Sequence, residues 1–312
     1  MNFITTCTSR KTLPCPAGLS MQSIAANSLQ ERFSAWLERL SCDKSETKKP
    51  IELYSGGSWK IVRRINSEFS GKLKTWVVSA GQGLLAEEEK VPSYAATFAS
   101  GEPDCVVSGK VSSDNLTDWW TLLCERRRAN GKVISSLADL AHAYSNQPMV
   151  VALSADYFKA TQSDLLKARA ALSNPDLLVI ISAGTNSSGE LANNLVPADA
   201  RLEHVFGKSR IMLNARVAEV VLRQFTPGEI RASKVASYLG DLIQGLPPST
   251  YPKRESASDN EVSAFISEKL HLSPCSCSRL LQEYRSTGRA CEQKRFRNLY
   301  HNIRSIKLSK VA

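Results

Sequence analysis

The chain predicts an α/β fold, a mainly parallel sheet with flanking helices, followed by a C-terminal all-α helix-turn-helix region. Three observations predict it. Four short runs rich in β-branched and apolar residues, at 3–6, 75–80, 149–154 and 177–182, read as buried strands, and each runs into a small polar or glycine-bearing loop. Segments with apolar residues at helical spacing alternate with them, as in a sheet covered by helices. A stretch with three prolines in six residues, Pro247 to Pro252, then separates this region from a tail of different character. The organisation expected is an α/β domain over 1–245, a proline-rich linker over 246–258 and a basic helical region over 259–312.

The first strand, Phe3-Ile4-Thr5-Thr6, runs into Cys7 and a polar turn carrying Lys11. Residues 12–30 are turn-rich. Residues 31–41 place Phe33, Trp36, Leu37 and Leu40 on one helical face, and 42–50 read as a polar loop. Tyr54-Ser55-Gly56-Gly57-Ser58-Trp59 opens a helix through residue 70; its glycine pair either cradles an anion on backbone N–H groups or only makes a tight turn. The strand at 75–80 ends in Gly81-Gln82-Gly83, where two glycines permit close approach of a ligand or simply form a tight βα turn. Glu87, Glu88 and Glu89 read as a solvated charge run. Helices are expected at 116–128, 133–145 and 157–173. The loop at 183–189 follows the strand at 177–182, and Glu190, Asp199 and His204 lie just beyond it as candidate acid/base groups or bystanders.

Residues 260–271 carry Val262, Phe265, Ile266 and Leu270 at helical spacing. Leu272-Ser273-Pro274 reads as a turn with Ser273 as N-cap. A second helix over 275–285 then puts Leu280 and Leu281 inward and Arg279, Gln282 and Arg285 outward, which is a helix-turn-helix pattern. From 285 onward there are eight basic residues, including Arg289, Lys294, Arg295 and Arg297, against one acid, Glu292. That composition fits phosphate contact; the alternative is a solvated three-helix appendage. Cys275, Cys277, Cys291 and His271 lack the paired spacing of a zinc site, so no metal is expected.

Whole-chain properties narrow the function classes. With 42% hydrophobic and 22% charged residues, the composition is that of a globular protein. No apolar run approaches the ~20 residues of a bilayer span, and no secretory signal is visible. Eight cysteines in 312 residues do not make a disulfide framework, so a reducing cytoplasm is expected. A net charge of +10 points to a polyanionic partner, with nucleic acid first. The expected location is therefore cytoplasmic and nucleoid-associated.

The chemistry concentrates at the first strand end. If the strands are parallel, their carboxyl-terminal loops meet on one edge, where open α/β sheets bind ligands. Cys7 would sit there as a thiol nucleophile with Lys11 as its electrostatic partner, since a nearby ammonium favours the thiolate. The alternative is a packed thiol and a solvated lysine.

Cys7-Thr8-Ser9-Arg10-Lys11, Leu53-Tyr54-Ser55, the run Trp76-Val77-Val78-Ser79-Ala80-Gly81-Gln82-Gly83-Leu84-Leu85 and Tyr94 form a pattern that resembles the YaaA-like superfamily of DNA-associated proteins. It is also similar to the related domain of archaeosine synthase, whose Cys–three residues–Lys motif lies at a 7-deazaguanine site. The resemblance covers roughly residues 1–185. Joined to a basic helix-turn-helix, such a domain resembles the dpd-cluster proteins of bacterial 7-deazaguanine DNA modification. The resemblance implies conversion of 7-cyano-7-deazaguanine in DNA to its 7-amido form by nitrile hydration. It implies catalysis by Cys7 and Lys11, and substrate binding by Tyr54, Ser55, Ser79, Gly81 and Gly83. DNA is then contacted by Arg279, Gln282, Arg285, Arg289, Lys294, Arg295 and Arg297. No cofactor is called for; DNA and other enzymes of the same pathway are the partners, and no membrane is involved. The rival expectation is a non-catalytic DNA-binding or genome-protection protein of the YaaA type.

Overall fold

The computed structural model describes residues 1–26, 28–109, 111–185, 189–207, 209–248, 254–272 and 275–309; of residues 271, 272, 294 and 306–309 it describes the backbone. The chain forms two compact units, Met1–Pro247 and Pro248–Ala312.

In chain order the first unit runs β1 (Asn2–Thr6), α1 (Leu29–Cys42), β2 (Thr47–Lys48), α2 (Pro50–Leu53), α3 (Gly57–Glu68), β3 (Lys74–Ser79), β4 (Gly83–Ala86), β5 (Val91–Pro92), α4 (Ser113–Ala129), α5 (Leu137–Ala143), β6 (Met149–Ala152), α6 (Ala155–Ala171), β7 (Leu178–Ile181), β8 (Leu195–Val196), α7 (Glu203–Phe206), α8 (Leu213–Gln224) and α9 (Ala232–Gln244). It is an α/β fold built on a six-stranded sheet of order β4-β3-β1-β6-β7-β8. All neighbouring strands are parallel except β3 and β4. Phe3 pairs with Thr75 on one side and Val150 on the other, so β1 is central. Residues 2–5 of β1 are all buried because helices cover both faces of a parallel sheet. Right-handed crossovers put α3, which precedes β3, and α6, which precedes β7, on opposite faces. Accordingly α3 packs on α8, while α6 packs on α4 and α5.

Local chemistry fixes the helix starts. Ser28 and Glu31 form a reciprocal capping box at α1, burying Arg32, Phe33 and Trp36 behind it. Ser112 and Ser136 cap α4 and α5. Asp164 of α6 accepts from the Leu137 and Ala138 amides and the Trp120 indole. Burial nevertheless pushes its carboxyl above the ordinary value, against the pull of those donors.

Three features differ from expectation. Gly81-Gln82-Gly83 is not a βα turn. It reverses the chain into an antiparallel hairpin, with Ser79 opposite Gly83, and Gly83 at φ +83° supplies the left-handed residue. The acidic run is not uniformly solvated. The hairpin brings Glu89 back to Arg127 at 2.6 Å and Lys132 at 3.0 Å, and Glu87 accepts from the Thr75 amide; Glu88 alone stays at the surface, paired with Lys49. The expected loop at 42–50 contains β2, which pairs antiparallel with β5, and ends where Pro50 opens α2.

The second unit comprises β9 (Glu255–Ser256), α10 (Asp259–Leu272), α11 (Cys277–Ser286), β10 (Arg289–Ala290) and α12 (Gln293–Ser309). Val262, Ile266, Leu280, Leu281, Tyr284, Phe296 and Tyr300 form its core, and β9 and β10 make a short parallel pair. α11 is capped by Ser276, whose hydroxyl accepts from the Arg279 amide. The expected cap Ser273, together with Pro274, lies outside the described residues, as do 249–253 of the linker.

Among the described residues, no helix is long and apolar enough to cross a membrane.

Candidate functional site at the carboxyl edge of the sheet

The chain leaves β1 towards β3, but it leaves β6 towards β7 on the other side. The connections diverge between β1 and β6, and the crevice at such a point is where open α/β sheets bind ligands. Cys7 is the first residue beyond β1, held by its amide donating to the Val78 carbonyl at 3.0 Å. Tyr157 lies in the first turn of α6. Its hydroxyl is 3.2 Å from the Cys7 Sγ. Both residues are only 6% exposed. Burial first, and negative charge on Cys7 second, push the Tyr157 phenol well above its ordinary value. The phenol therefore keeps its proton and is the donor whenever the sulfur is a thiolate. Phe98 packs edge-on against the Tyr157 ring at 5.0 Å between centroids.

Lys11 reaches the same edge because residues 10–12 run antiparallel beside 53–55. The Ser55 amide donates to the Arg10 carbonyl at 2.9 Å and the Thr12 amide to the Leu53 carbonyl at 2.8 Å. The Lys11 ammonium donates to the Thr8 carbonyl at 2.8 Å and lies 4.2 Å from the Tyr94 ring centroid. Burial lowers its pKa, partly offset by Cys7, Cys15 and Asp104 nearby. So Cys7 and Lys11 share one locality, but the contacts of each run to other groups: the thiol to Tyr157, the ammonium to a carbonyl and an aromatic face.

A second polar chain adjoins them. The Tyr54 hydroxyl is 2.6 Å from that of Tyr94, which is 2.5 Å from the Ser79 Oγ. Ser79 also accepts from the Gly81 and Gln82 amides at 3.3 and 3.0 Å. Ser79 and Tyr54 are fully buried, and Tyr94 nearly so. Burial first, with negative charge on Cys7 second, raises both phenols above their ordinary value. Three indoles anchor this edge: Trp59 donates to Thr6 O at 3.2 Å, Trp119 to Ala80 O at 2.8 Å and Trp36 to Gly81 O at 2.8 Å.

The glycines are required by the protein itself. A Cβ on Gly81 would stand 2.7 Å from the Tyr94 ring and 3.0 Å from Trp36, and one on Gly83 would stand 2.6 Å from the Arg127 Cδ. Gly56 at φ +100° lies against Arg10, and the Ser58 hydroxyl donates to Ile211 O at 3.2 Å. Of the expected acid/base groups, Glu190 pairs with Arg169, Asp199 with Arg201, and His204 is exposed. No contact in the described residues joins any of them to Cys7. The group that does meet Cys7, Tyr157, was invisible in sequence, since an aromatic one turn into a helix reads as packing.

In the second unit Arg279 and Gln282 are exposed on α11 and Arg297 on α12. Arg285 is half-buried and donates to Cys291 O at 2.9 Å, Arg289 pairs with Glu261 at 3.3 Å, and Arg295 pairs with Asp259 at 2.5 Å. The Lys294 side chain lies outside the described residues. Cys275, Cys277 and Cys291 are free thiols, and among the described residues no cluster of three metal-ligating side chains occurs.

No family model, no curated protein and no solved structure matches the chain.

Proposed function

We propose that the protein acts on DNA, and that its α/β unit hydrates the nitrile of 7-cyano-7-deazaguanine already present in DNA. The observation that carries this reading is the Cys7–Tyr157 pair where the sheet connections diverge. A thiolate adds to the nitrile carbon, forming a C–S bond, while the nitrogen takes a proton, giving a thioimidate. Tyr157, neutral and in contact with the sulfur, supplies that proton. Water then adds to the same carbon and the C–S bond breaks, leaving the amide and restoring the thiolate; one water proton goes to the nitrogen and the other returns to the tyrosine. Lys11 adds positive charge beside the site. The second unit holds the duplex, and the modified base leaves the stack to reach the crevice.

A specific observation favours a second reading. Cys7 is buried and occupied by Tyr157, and Ser79, Tyr54 and Tyr94 are buried and occupied by one another, as in a structural cluster of a non-catalytic DNA-binding protein. One experiment separates the two. DNA carrying the cyano base is incubated with wild type or Cys7→Ser, and its nucleosides are weighed. The catalytic reading expects the amido nucleoside with wild type and a loss of orders of magnitude with Cys7→Ser, DNA binding being intact. Equal conversion by both proteins removes Cys7 from the chemistry. DNA binding without conversion by wild type leaves the binding protein.

A further inference from the structure

One groove in the second unit has a composition unlike its neighbour. It has a volume of about 470 Å³ and is lined by Arg254, Ser278, Leu281, Gln282, Arg285, Ser286 and Gln293. Among the described residues no carboxylate lines it. Six of the seven side chains carry hydrogen-bond donors, two of them guanidiniums. A second groove, over Ala264, Phe265 and Tyr284, contains Glu261 and Glu268 and only one cation, Arg289, which Glu261 already pairs. The contrast therefore does not follow from overall charge. It is a local concentration of cationic and hydrogen-bond-donating side chains.

Among the described residues both guanidiniums are positioned by main chain, and no ion pair to an acid is seen for either. Arg254 donates through Nε to Arg285 O at 3.2 Å, and Arg285 donates through Nη2 to Cys291 O at 2.9 Å. A carbonyl orients a guanidinium without supplying the counter-charge that a carboxylate would. Guanidinium forks match phosphate oxygens in pairs. Ser278 and Gln282 lie on α11, so the groove flanks the helix expected to enter a DNA groove. Arg254, by contrast, comes from the stretch that sequence reading assigned to the linker.

We propose that this groove is a phosphodiester site: Arg254 and Arg285, with Ser278, Gln282 and Gln293, grip a backbone phosphate of DNA and set the register of α11 on the duplex. This rests on the DNA-acting reading and names the contact through which it works. Phosphate contacts position a protein without reading sequence, so the site predicts sequence-independent affinity.

The test uses the full chain and a duplex of arbitrary sequence, titrated between 50 and 200 mM salt. Arg254→Gln and Arg285→Gln should each weaken binding about tenfold and lower the salt slope by about one, the loss of one phosphate contact. Lys269→Gln, at a cation of the same unit that Glu283 already pairs at 2.5 Å, should bind as wild type does. Because Arg285 also holds the Cys291 carbonyl, Arg254→Gln is the decisive variant. If Arg254→Gln binds with wild-type affinity and slope, the proposal is overturned. If wild type binds no duplex at all, the DNA-acting reading fails by itself, and pyrophosphate then tests the groove. Thermal stabilisation of wild type and not of the double variant keeps it as a phosphate site for a smaller ligand. Equal response of both proteins overturns it.

Discussion

The Tyr157 hydroxyl meets the Cys7 thiol at 3.2 Å although 150 residues separate them. The parallel pairing of β1 with β6 accounts for this, because the two strands end together and α6 begins where β6 stops. If the phenol is the proton donor, Tyr157→Phe should lower nitrile hydration by about 10²–10⁴-fold, the usual contribution of a positioned acid. Stability should fall by only about 1 kcal/mol, the worth of one hydrogen bond. Single-turnover conversion beside thermal melting measures both. An unchanged rate would show that the tyrosine only packs.

Thiol reactivity checks the closed state of the site. Cys15 and Cys42 are exposed, whereas Cys7, Cys105, Cys124 and Cys291 are buried. Brief alkylation of the native protein, read peptide by peptide by mass spectrometry, should label Cys42 well before Cys7. Unfolding should make all eight cysteines equivalent. Labelling of Cys7 as fast as Cys42 would mean that the crevice is open in solution.

The glycines after β3 give a packing test. Gly81→Ala drives a methyl into Tyr94 and Trp36, both fixed by their own hydrogen bonds, and should cost about 1–3 kcal/mol. Gly18→Ala places a methyl where nothing lies within 4 Å and φ is ordinary, so it should be near neutral. Equal melting temperatures for the two variants would contradict the description of the turn.

The parallel strands were legible because both faces of such a sheet are covered, which leaves short apolar runs bounded by glycine and polar loops. The position of Cys7 at a strand end followed directly. The hairpin at 81–83 was not legible, since a glycine-bearing turn after a strand has the same signature whether the next element is a helix or a returning strand. Arg32 was hidden too: on a helical wheel it is one polar residue beside Phe33. In the fold it is buried and donates to the carbonyls of Met21, Ile24, Cys105 and Val106, tying two distant stretches to α1. Partners brought from distant segments leave no local spacing to read, and Tyr157 is the same case at the site.

The Glu89–Arg127 pair should govern acid sensitivity of the first unit. Arg127 is 8% exposed and Glu89 19% by side chain, so solvent screens them little. Burial pushes the Glu89 carboxyl up, but the Ala86 amide, Arg127 and Lys132 outweigh it and hold the group below its ordinary value of 4.5. A carboxyl lowered in the fold contributes stability above its unfolded value and loses it as pH falls through the folded one. Glu89→Gln keeps the shape but leaves Arg127 buried without a counter-charge, which should cost about 3 kcal/mol at pH 7. All five tryptophans belong to the first unit, so their fluorescence in urea titrations follows that unit alone. The gap between wild type and Glu89→Gln should be constant from pH 7 to near pH 5 and then narrow below 4.5, as the wild-type carboxylate takes up its proton. A gap that stays the same down to pH 3 would mean that the charge on Glu89 contributes nothing, and that the substitution acts through packing.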